Sequence, residues 1–159
     1  MIQDRHEAGI LLAKKLLKYR ETGALVLALP RGGVVLGYEI AKVLSLPLDI
    51  IVTRKITHPS SPEYAIGVVD EHGASIVDEV ATAQFDPAWL EEEILEQTQE
   101  AQRRTTLYRK GLPDLNLRGK IAIIVDDGIA TGFTMRLAVK IIREKDPAKI
   151  VVAIPVSPK

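Results

Sequence analysis

Short, largely apolar runs recur along this chain. They have the length of strands and cover residues 24–29, 48–52, 121–125 and 150–154. Because these runs show little alternation with polar residues, they predict strands that are covered on both faces, as in a parallel sheet. Apolar residues at helical spacing lie between them and predict helices over residues 8–19, 34–44, 87–108 and 133–144.

Local sequence signals predict the secondary structure of the region between residues 52 and 121. Asp86 and Pro87 suit the N-cap and the first position of a helix. Residues 64–69 and 74–77 flank the turn-forming segment Asp-Glu-His-Gly at 70–73, which predicts a β-hairpin. Residues 55–62 are rich in Pro, Ser and Thr, and we expect them to form a loop.

The alternation of strands and helices predicts an α/β fold. We expect a mostly parallel, twisted sheet with helices on both faces and a Rossmann-like core. The chain has 159 residues, of which 47% are hydrophobic, so one domain over residues 1–159 can bury a core. Only 4% of the residues are aromatic, so this core must be built from aliphatic side chains.

Charge and composition limit which partners the protein can bind and in which cellular compartment it is expected. Lys and Arg together number 21, as do Asp and Glu, and a net charge of zero gives no support for bulk binding of nucleic acid. Cysteine is absent, which excludes disulfides and thiolate metal sites and fits a reducing cytoplasm. The N-terminus lacks the apolar region of a signal peptide, and no apolar run reaches the roughly 20 residues of a membrane helix. We therefore expect a cytoplasmic protein without membrane contact.

Three polar loops follow predicted strands, at the edge where parallel sheets bind ligands. They begin at Pro30, Arg54 and Asp126. Asp126 and Asp127 can accept hydrogen bonds from two neighbouring sugar hydroxyls, and the small residues after them can turn backbone N–H groups onto a phosphate at a helix N-terminus. The plain alternatives are a solvated acidic turn and a solvated basic turn. The sequence contains neither a P-loop motif nor a dinucleotide-binding glycine motif.

The segment Val-Asp-Asp-Gly-Ile-Ala-Thr-Gly-Phe-Thr at 125–134 resembles the motif with which type I phosphoribosyltransferases bind 5-phosphoribosyl-1-pyrophosphate (PRPP). Pro30-Arg-Gly-Gly33 resembles the pyrophosphate loop of that family, and Arg54-Lys55 resembles its cationic pair before a mobile loop. The resemblance spans roughly residues 25–155. It implies the type I phosphoribosyltransferase fold, in which the hairpin at 64–77 would be the mobile loop that excludes water from the reaction.

The resemblance also implies a reaction and a set of residues. A phosphoribosyl group would pass from PRPP to a nitrogenous acceptor, such as a nucleobase, with release of pyrophosphate. Mg²⁺ would be the cofactor, held mainly by PRPP and water. The implied catalytic residues are Asp126, Asp127, Arg54 and Lys55. The implied ribose and 5-phosphate contacts are Asp126, Asp127, Gly128, Ile129, Ala130, Thr131, Gly132, Phe133 and Thr134. The implied pyrophosphate contacts are Arg31, Gly32, Gly33, Arg54 and Lys55.

Two departures from the family pattern concern the acceptor. Hypoxanthine-guanine enzymes carry an acid where this chain has Ala130, so the loop looks closer to adenine- or uracil-type loops. A general base would have to come from elsewhere, and Glu63, Asp70 and Glu71 are candidates. The chain also stops soon after its last predicted strand. Either it is truncated at the C-terminus, or a partner subunit contacts the acceptor, since the resemblance implies a homodimer.

A second class of function competes with the enzyme. The same fold can serve as a PRPP- or nucleotide-sensing regulator that no longer turns its substrate over. A third reading is a structural or interaction domain with a vestigial site, and the presence of both carboxylates, the phosphate loop and the Arg54-Lys55 pair argues against it. The sequence specifies the phosphoribosyl donor far better than the acceptor.

Overall fold

The computed structural model describes residues 4–155. Its helices and strands follow one another in the order α1 (Arg5–Lys15), β1 (Leu25–Ala28), α2 (Gly32–Leu44), β2 (Leu48–Ile50), β3 (Thr53–His58), β4 (Ser61–Asp70), β5 (Ser75–Val77), α3 (Glu79–Thr82), α4 (Pro87–Tyr108), β6 (Ile121–Val125), α5 (Phe133–Arg143) and β7 (Lys149–Ala153), with a 3₁₀ turn at Leu17–Tyr19. The four predicted apolar strands and the four predicted long helices are all present. The prediction of a single domain over residues 1–159 stays a prediction.

The four apolar strands form one sheet in the order β2-β1-β6-β7, and every neighbouring pair is parallel. The predicted parallel α/β class is therefore confirmed. Strand β6 is one of the two central strands, and its side chains from Ala122 to Val125 are buried. Continuous apolar sequence is what a strand covered on both faces requires, because each buried side chain of this size contributes about 1.5–3 kcal/mol.

The chain divides into two compact units. The first contains the residues up to Ile51, Pro113–Ala130 and the residues from Val139 onward, and so holds the parallel sheet. Its core joins α1, α2 and the sheet through aliphatic side chains and one tyrosine, including Ala13, Tyr19, Val26, Leu36, Ile40, Leu44, Ile123 and Val125. The tyrosine, Tyr19, is the one aromatic side chain among the buried residues of this cluster, as the low aromatic content led us to expect.

The second unit contains Val52–Leu112 and Thr131–Ala138. Strands β3, β4 and β5 form an antiparallel sheet in that order. The predicted hairpin is confirmed as β4 and β5. Ile56, Ile66 and Val69 form the buried centre of this unit, with Trp89, Leu90 and Ile94 of α4 packed against them.

One prediction in this unit was wrong. Residues 55–62 were expected to form a loop, but β3 extends to His58 and β4 begins at Ser61, so the turn between them is only Pro59 and Ser60. The ladder is irregular after Ile56, where the register shifts twice. Polar residues can continue a strand whose other face is buried, and here the buried Ile56 anchors the strand.

The start of α1 also differs from the prediction. The helix begins at Arg5 rather than at Ala8, because the Asp4 side chain accepts a hydrogen bond of 2.8 Å from the Glu7 N–H and caps it. It ends at Lys15 and a 3₁₀ turn follows to Tyr19. Gly23, in the loop before β1, has a φ of 74°. Among the described residues, no helix is both long and apolar enough to cross a membrane.

The start of α4 agrees with its sequence signal and yields a prediction. The Asp86 side chain accepts a hydrogen bond of 2.9 Å from the Ala88 N–H, and Pro87 occupies the first turn. Replacing Asp86 by Ala removes this acceptor, so we expect the free energy of unfolding to fall by about 0.5–2 kcal/mol. Urea denaturation followed by circular dichroism measures the change. Asp86→Asn is the matched control, because Asn caps a helix about as well as Asp; equal losses in both variants would contradict a capping role for Asp86.

Candidate active site

Strand β6 delivers the acid pair to the carboxyl edge of the parallel sheet. Val125 lies opposite Ala28 of β1 and Ala153 of β7. The sheet pairing continues past the strand end, because the Leu29 N–H donates to the Val125 carbonyl at 2.9 Å and the Asp126 N–H donates to the Ala153 carbonyl at 3.3 Å. Asp126 and the loop after Leu29 are consequently held at the same edge.

The loop from Pro30 to Gly33 packs directly against the acid pair. A Cβ built on Gly33 would lie 2.5 Å from the Val125 carbonyl oxygen and 3.0 Å from the Asp126 Cα. A Cβ built on Gly32 would overlap the Asp127 carboxylate. The peptide bond between Pro30 and Arg31 is cis. At Gly33 the opposing atoms are backbone, so no side chain fits there, whereas at Gly32 a side chain would displace the Asp127 carboxylate.

The two carboxylates have different surroundings. The Asp127 backbone N–H donates to Oδ1 of Asp126 at 2.8 Å, which ties the first carboxylate to the backbone of the second residue. The Asp127 carboxylate receives the guanidinium of Arg5, whose Nε and Nη2 lie 2.8 Å and 2.7 Å from Oδ2. Both aspartates are partly exposed, so a ligand can reach them.

The segment after the acid pair leads into α5. Gly128, Ile129 and Ala130 follow Asp127 in the first unit, and Thr131 begins the part assigned to the second. Gly132 has a φ of 79°, and its carbonyl accepts the Arg136 N–H at 2.9 Å in the first turn of the helix that begins at Phe133. A helix N-terminus of this kind presents unpaired backbone N–H groups, which suit a phosphate.

Arg54 and Lys55 lie in β3, within the second unit. The Arg54 Nε donates to Oε1 of Gln97 on α4 at 3.1 Å. Burial lowers the pKa of the Arg54 guanidinium, and the nearby Arg104 adds to this effect, although an arginine remains protonated in proteins. Successive side chains of a strand point to opposite faces, so Lys55, which is exposed, does not share the α4 face of Arg54.

One of the three candidates for a general base, Asp70, is buried and accepts hydrogen bonds from the backbone of a turn. Asp70 is 4% exposed, and its Oδ1 accepts the N–H groups of His72 and Ala74 at 2.9 Å and 2.8 Å. Asp70 therefore stabilises the turn between β4 and β5.

A cavity of about 430 Å³ lies in the second unit. It is lined by His58, Ser61, Tyr64, Asp78, Val80, Ala81 and Gln84.

The comparisons with known proteins decide the family. The family model described as "Phosphoribosyl transferase domain" matches residues 2–159, nearly the whole chain. The chain belongs to the phosphoribosyl transferase domain family. Two Mycobacterium tuberculosis proteins, from strains CDC 1551 and H37Rv, are each named "Putative phosphoribosyl transferase" and are 40% identical over 160 residues. This similarity covers 99% of this phosphoribosyl transferase domain chain but only 36% of the length of those relatives.

Two solved structures are similar to this chain in fold. The protein TT1426 of Thermus thermophilus is 37% identical, with a TM-score of 0.76 over 98% of this chain and 75% of that one. A hypoxanthine-guanine phosphoribosyltransferase of Bacillus anthracis has a TM-score of 0.56 over 100% of this chain and 70% of that one. Its sequence is only 16% identical, so it supports the phosphoribosyltransferase fold and nothing finer.

The donor set suits the metal that the phosphoribosyl transferase family implies. Within residues 4–155 there is no group of three or more His, Cys, Asp or Glu side chains that could hold a metal ion by itself. Asp126 and Asp127 supply carboxylate oxygens, which Mg²⁺ accepts as a minority of its ligands. The carboxylate oxygens of Asp126 and Asp127 are therefore compatible with Mg²⁺ as partial ligands.

Sequence reasoning missed Arg5. The signal for its helix was present, because Asp4 and Glu7 stand three positions apart at the N-cap and N3 of α1. Nothing in the sequence, however, pairs Arg5 with an aspartate 122 positions away. The structure brings Arg5, Gly32 and Asp127 together. The predicted roles of Arg54 and Lys55 in the site stay predictions.

Proposed function

We propose that this domain transfers a phosphoribosyl group from PRPP to a nitrogenous acceptor and releases pyrophosphate. The observation that carries the proposal is the close packing of the Gly32-Gly33 backbone on the strand end that bears Asp126 and Asp127. In this proposal the carboxylates bind the ribose hydroxyls, and the glycine backbone packed beside them binds the pyrophosphate. Membership of the phosphoribosyl transferase domain family supports the same reaction class.

The proposed reaction exchanges one bond at the anomeric carbon for another. The lone pair of the acceptor nitrogen forms a bond to the anomeric carbon, the bond from that carbon to the pyrophosphate oxygen breaks, and the leaving group keeps the electron pair. The acceptor nitrogen then gives its proton to water or to a base. The carbon passes through an oxocarbenium-like state, so negative carboxylates nearby lower its energy.

In this proposal each set of residues binds a different part of PRPP. Asp126 and Asp127 accept hydrogen bonds from the two ribose hydroxyls and face the developing positive charge. Residues 128–134 hold the 5-phosphate with backbone N–H groups and the hydroxyls of Thr131 and Thr134, which fixes the far end of the sugar. Arg31, Arg54 and Lys55, with the backbone at Gly32 and Gly33, bind the pyrophosphate. When bound, Mg²⁺ supplies charge neutralisation at the pyrophosphate.

An acceptor screen tests transfer and separates it from sensing. We expect PRPP-dependent release of pyrophosphate when the protein is incubated with Mg²⁺ and a panel of nucleobases and simple amines. The carboxylate-free position at Ala130 leads us to place adenine and uracil first in the panel. Asp126→Asn is the matched control for release caused by a contaminant. Tight PRPP binding with no release for any acceptor would favour the regulator over the enzyme.

Assembly and location belong to the same proposal. We propose a cytoplasmic homodimer, and sedimentation analysis of the purified protein measures the oligomeric state. A monomer that still releases pyrophosphate would remove the dimer from the proposal and leave the chemistry intact.

A further inference from the structure

Helix α1 places a guanidinium on the carboxylate that we assign to the ribose. Nε and Nη2 of Arg5 both approach Oδ2 of Asp127, at 2.8 Å and 2.7 Å. The Arg5 side chain is 60% exposed and the Asp127 side chain is 33% exposed. An exposed ion pair of this kind adds little to stability, so removing it tests ligand binding with little effect on the fold.

Three further features of α1 fix the position of Arg5. Asp4 caps the helix and makes Arg5 its first residue. His6 Nδ1 lies 3.0 Å from Oε1 of Glu39 on α2. Gly9 permits a close helix crossing, because a Cβ there would lie 2.8 Å from the Glu39 Cβ and 3.0 Å from the Leu36 Cα. Arg5 therefore reaches Asp127 from a helix that is capped at its N-terminus and packs closely on α2.

The Asp127 carboxylate is confined from two directions. Arg5 approaches Oδ2, and the Gly32 backbone lies so close that a Cβ there would overlap the carboxylate. Both Arg5 contacts end on one oxygen, so Arg5 does not occupy Oδ1. A carboxylate has about four acceptor positions on its two oxygens, which leaves capacity for a ligand hydroxyl while the rotamer is held.

We propose that Arg5 is a positioning residue that holds Asp127 in the orientation that accepts a ribose hydroxyl of PRPP. This inference rests on the proposed function, since it assigns Asp127 to the ribose. A pre-oriented acceptor strengthens binding because the ligand does not have to order the side chain. The opposite role would be a latch, in which Arg5 competes with the ribose for Asp127. The two roles predict opposite signs when Arg5 is removed.

Isothermal titration with PRPP and Mg²⁺ measures the sign. We expect Arg5→Gln to weaken PRPP binding by about tenfold, the scale of one hydrogen bond to a charged group. Arg5→Lys should recover part of this loss, because it restores the charge without the planar fork. Binding of pyrophosphate alone should be unchanged, since Arg5 acts through Asp127 and not on the leaving group.

Two controls separate positioning from a general loosening of α1. Lys14→Gln removes an exposed positive charge from the same helix and leaves Arg5, His6 and Asp127 intact, so PRPP affinity should stay within about twofold of the parent. In an Asp127→Asn background, Arg5→Gln should cause no further loss, because its effect passes through that carboxylate. The Arg5 Nε–H resonance in an ¹⁵N-labelled sample, assigned by its absence in Arg5→Gln, should shift in Asp127→Asn and persist in the PRPP complex.

Each outcome decides the proposal. Unchanged or tighter PRPP binding by Arg5→Gln overturns it, as does an equal loss of pyrophosphate binding, or a full loss that persists in the Asp127→Asn background. If the Arg5 Nε–H resonance of the Asp127-bound state disappears when PRPP is added, Arg5 has left Asp127 and acts as a latch. If the parent protein binds no PRPP at all, the proposed function fails and the inference fails with it. If the parent protein binds PRPP and Arg5→Gln binds it equally well, the positioning role of Arg5 fails but the proposed function is retained.

Discussion

Replacing Asp126 and Asp127 together by Asn is expected to weaken PRPP binding by at least about 100-fold. Hydrogen bonds to a charged acceptor are worth about 1.5–3 kcal/mol each, and this variant loses charge at two of them. Asn keeps the shape of Asp and retains one carbonyl oxygen, but it replaces the second acceptor by a donor that cannot pair with the hydrogen of a ribose hydroxyl. Isothermal titration of parent and variant measures the ratio of Kd values.

The fold should survive this double substitution. Oδ1 of Asp126 accepts the Asp127 N–H, and the oxygen of Asn can take its place. The Arg5–Asp127 pair is largely exposed, so its loss costs little stability. Asp146→Asn is the matched control, because Asp146 is exposed and pairs only loosely with Arg118 at 3.6 Å. PRPP binding that is equal in the parent and the double variant would show that the acid pair is a solvated turn.

Gly33→Ala is expected to cause the second large effect. Its Cβ would lie 2.5 Å from the Val125 carbonyl oxygen and 3.0 Å from the Asp126 Cα, and both are backbone atoms that cannot rotate away. Overpacking of this kind costs about 1–3 kcal/mol. Alanine is up to about 1 kcal/mol better than glycine within a helix, and Gly33 is the second residue of α2, so this gain offsets only part of the cost.

The same substitution should also weaken PRPP binding. Relief of the overlap must move the Pro30–Gly33 loop away from Asp126, which separates the two halves of the proposed site in the first unit. Thermal unfolding measures the loss of stability, and titration with PRPP measures the loss of affinity. Tyr38→Ala is the control on the same helix, because that side chain is 53% exposed. A Gly33→Ala variant as stable as this control, with parental PRPP affinity, would contradict the close packing.

Sequence patterns were sufficient where one strong signal acts alone. The apolar run at 121–125 predicted β6 to the residue, because burial on both faces leaves no polar position. Asp86 and Pro87 predicted the start of α4, because capping depends only on neighbouring residues. The acid pair after β6 and the glycines after β1 meet at one sheet edge, as the rule for parallel strands led us to expect.

The failures have physical causes as well. β3 was predicted as a loop because Pro, Ser and Thr dominate its surroundings, whereas pairing with β4 over Thr53–His58 stabilises the strand. The short helix α3 at Glu79–Thr82 was missed because four residues carry no periodic signal; the side chain of Asp78 caps it through the N–H groups of Val80 and Ala81. The Arg5–Asp127 contact joins residues 122 positions apart, and only the tertiary packing of α1 on α2 produces it.

Titration of the parent protein with PRPP in the presence of Mg²⁺ tests the proposed donor site most directly. We expect saturable binding at one site per chain, with a Kd at or below about 1 mM, and loss of that binding in the Asp126→Asn, Asp127→Asn variant. The absence of binding at millimolar PRPP by a folded parent protein, or binding that survives in the double variant, would contradict the assignment of PRPP to this site.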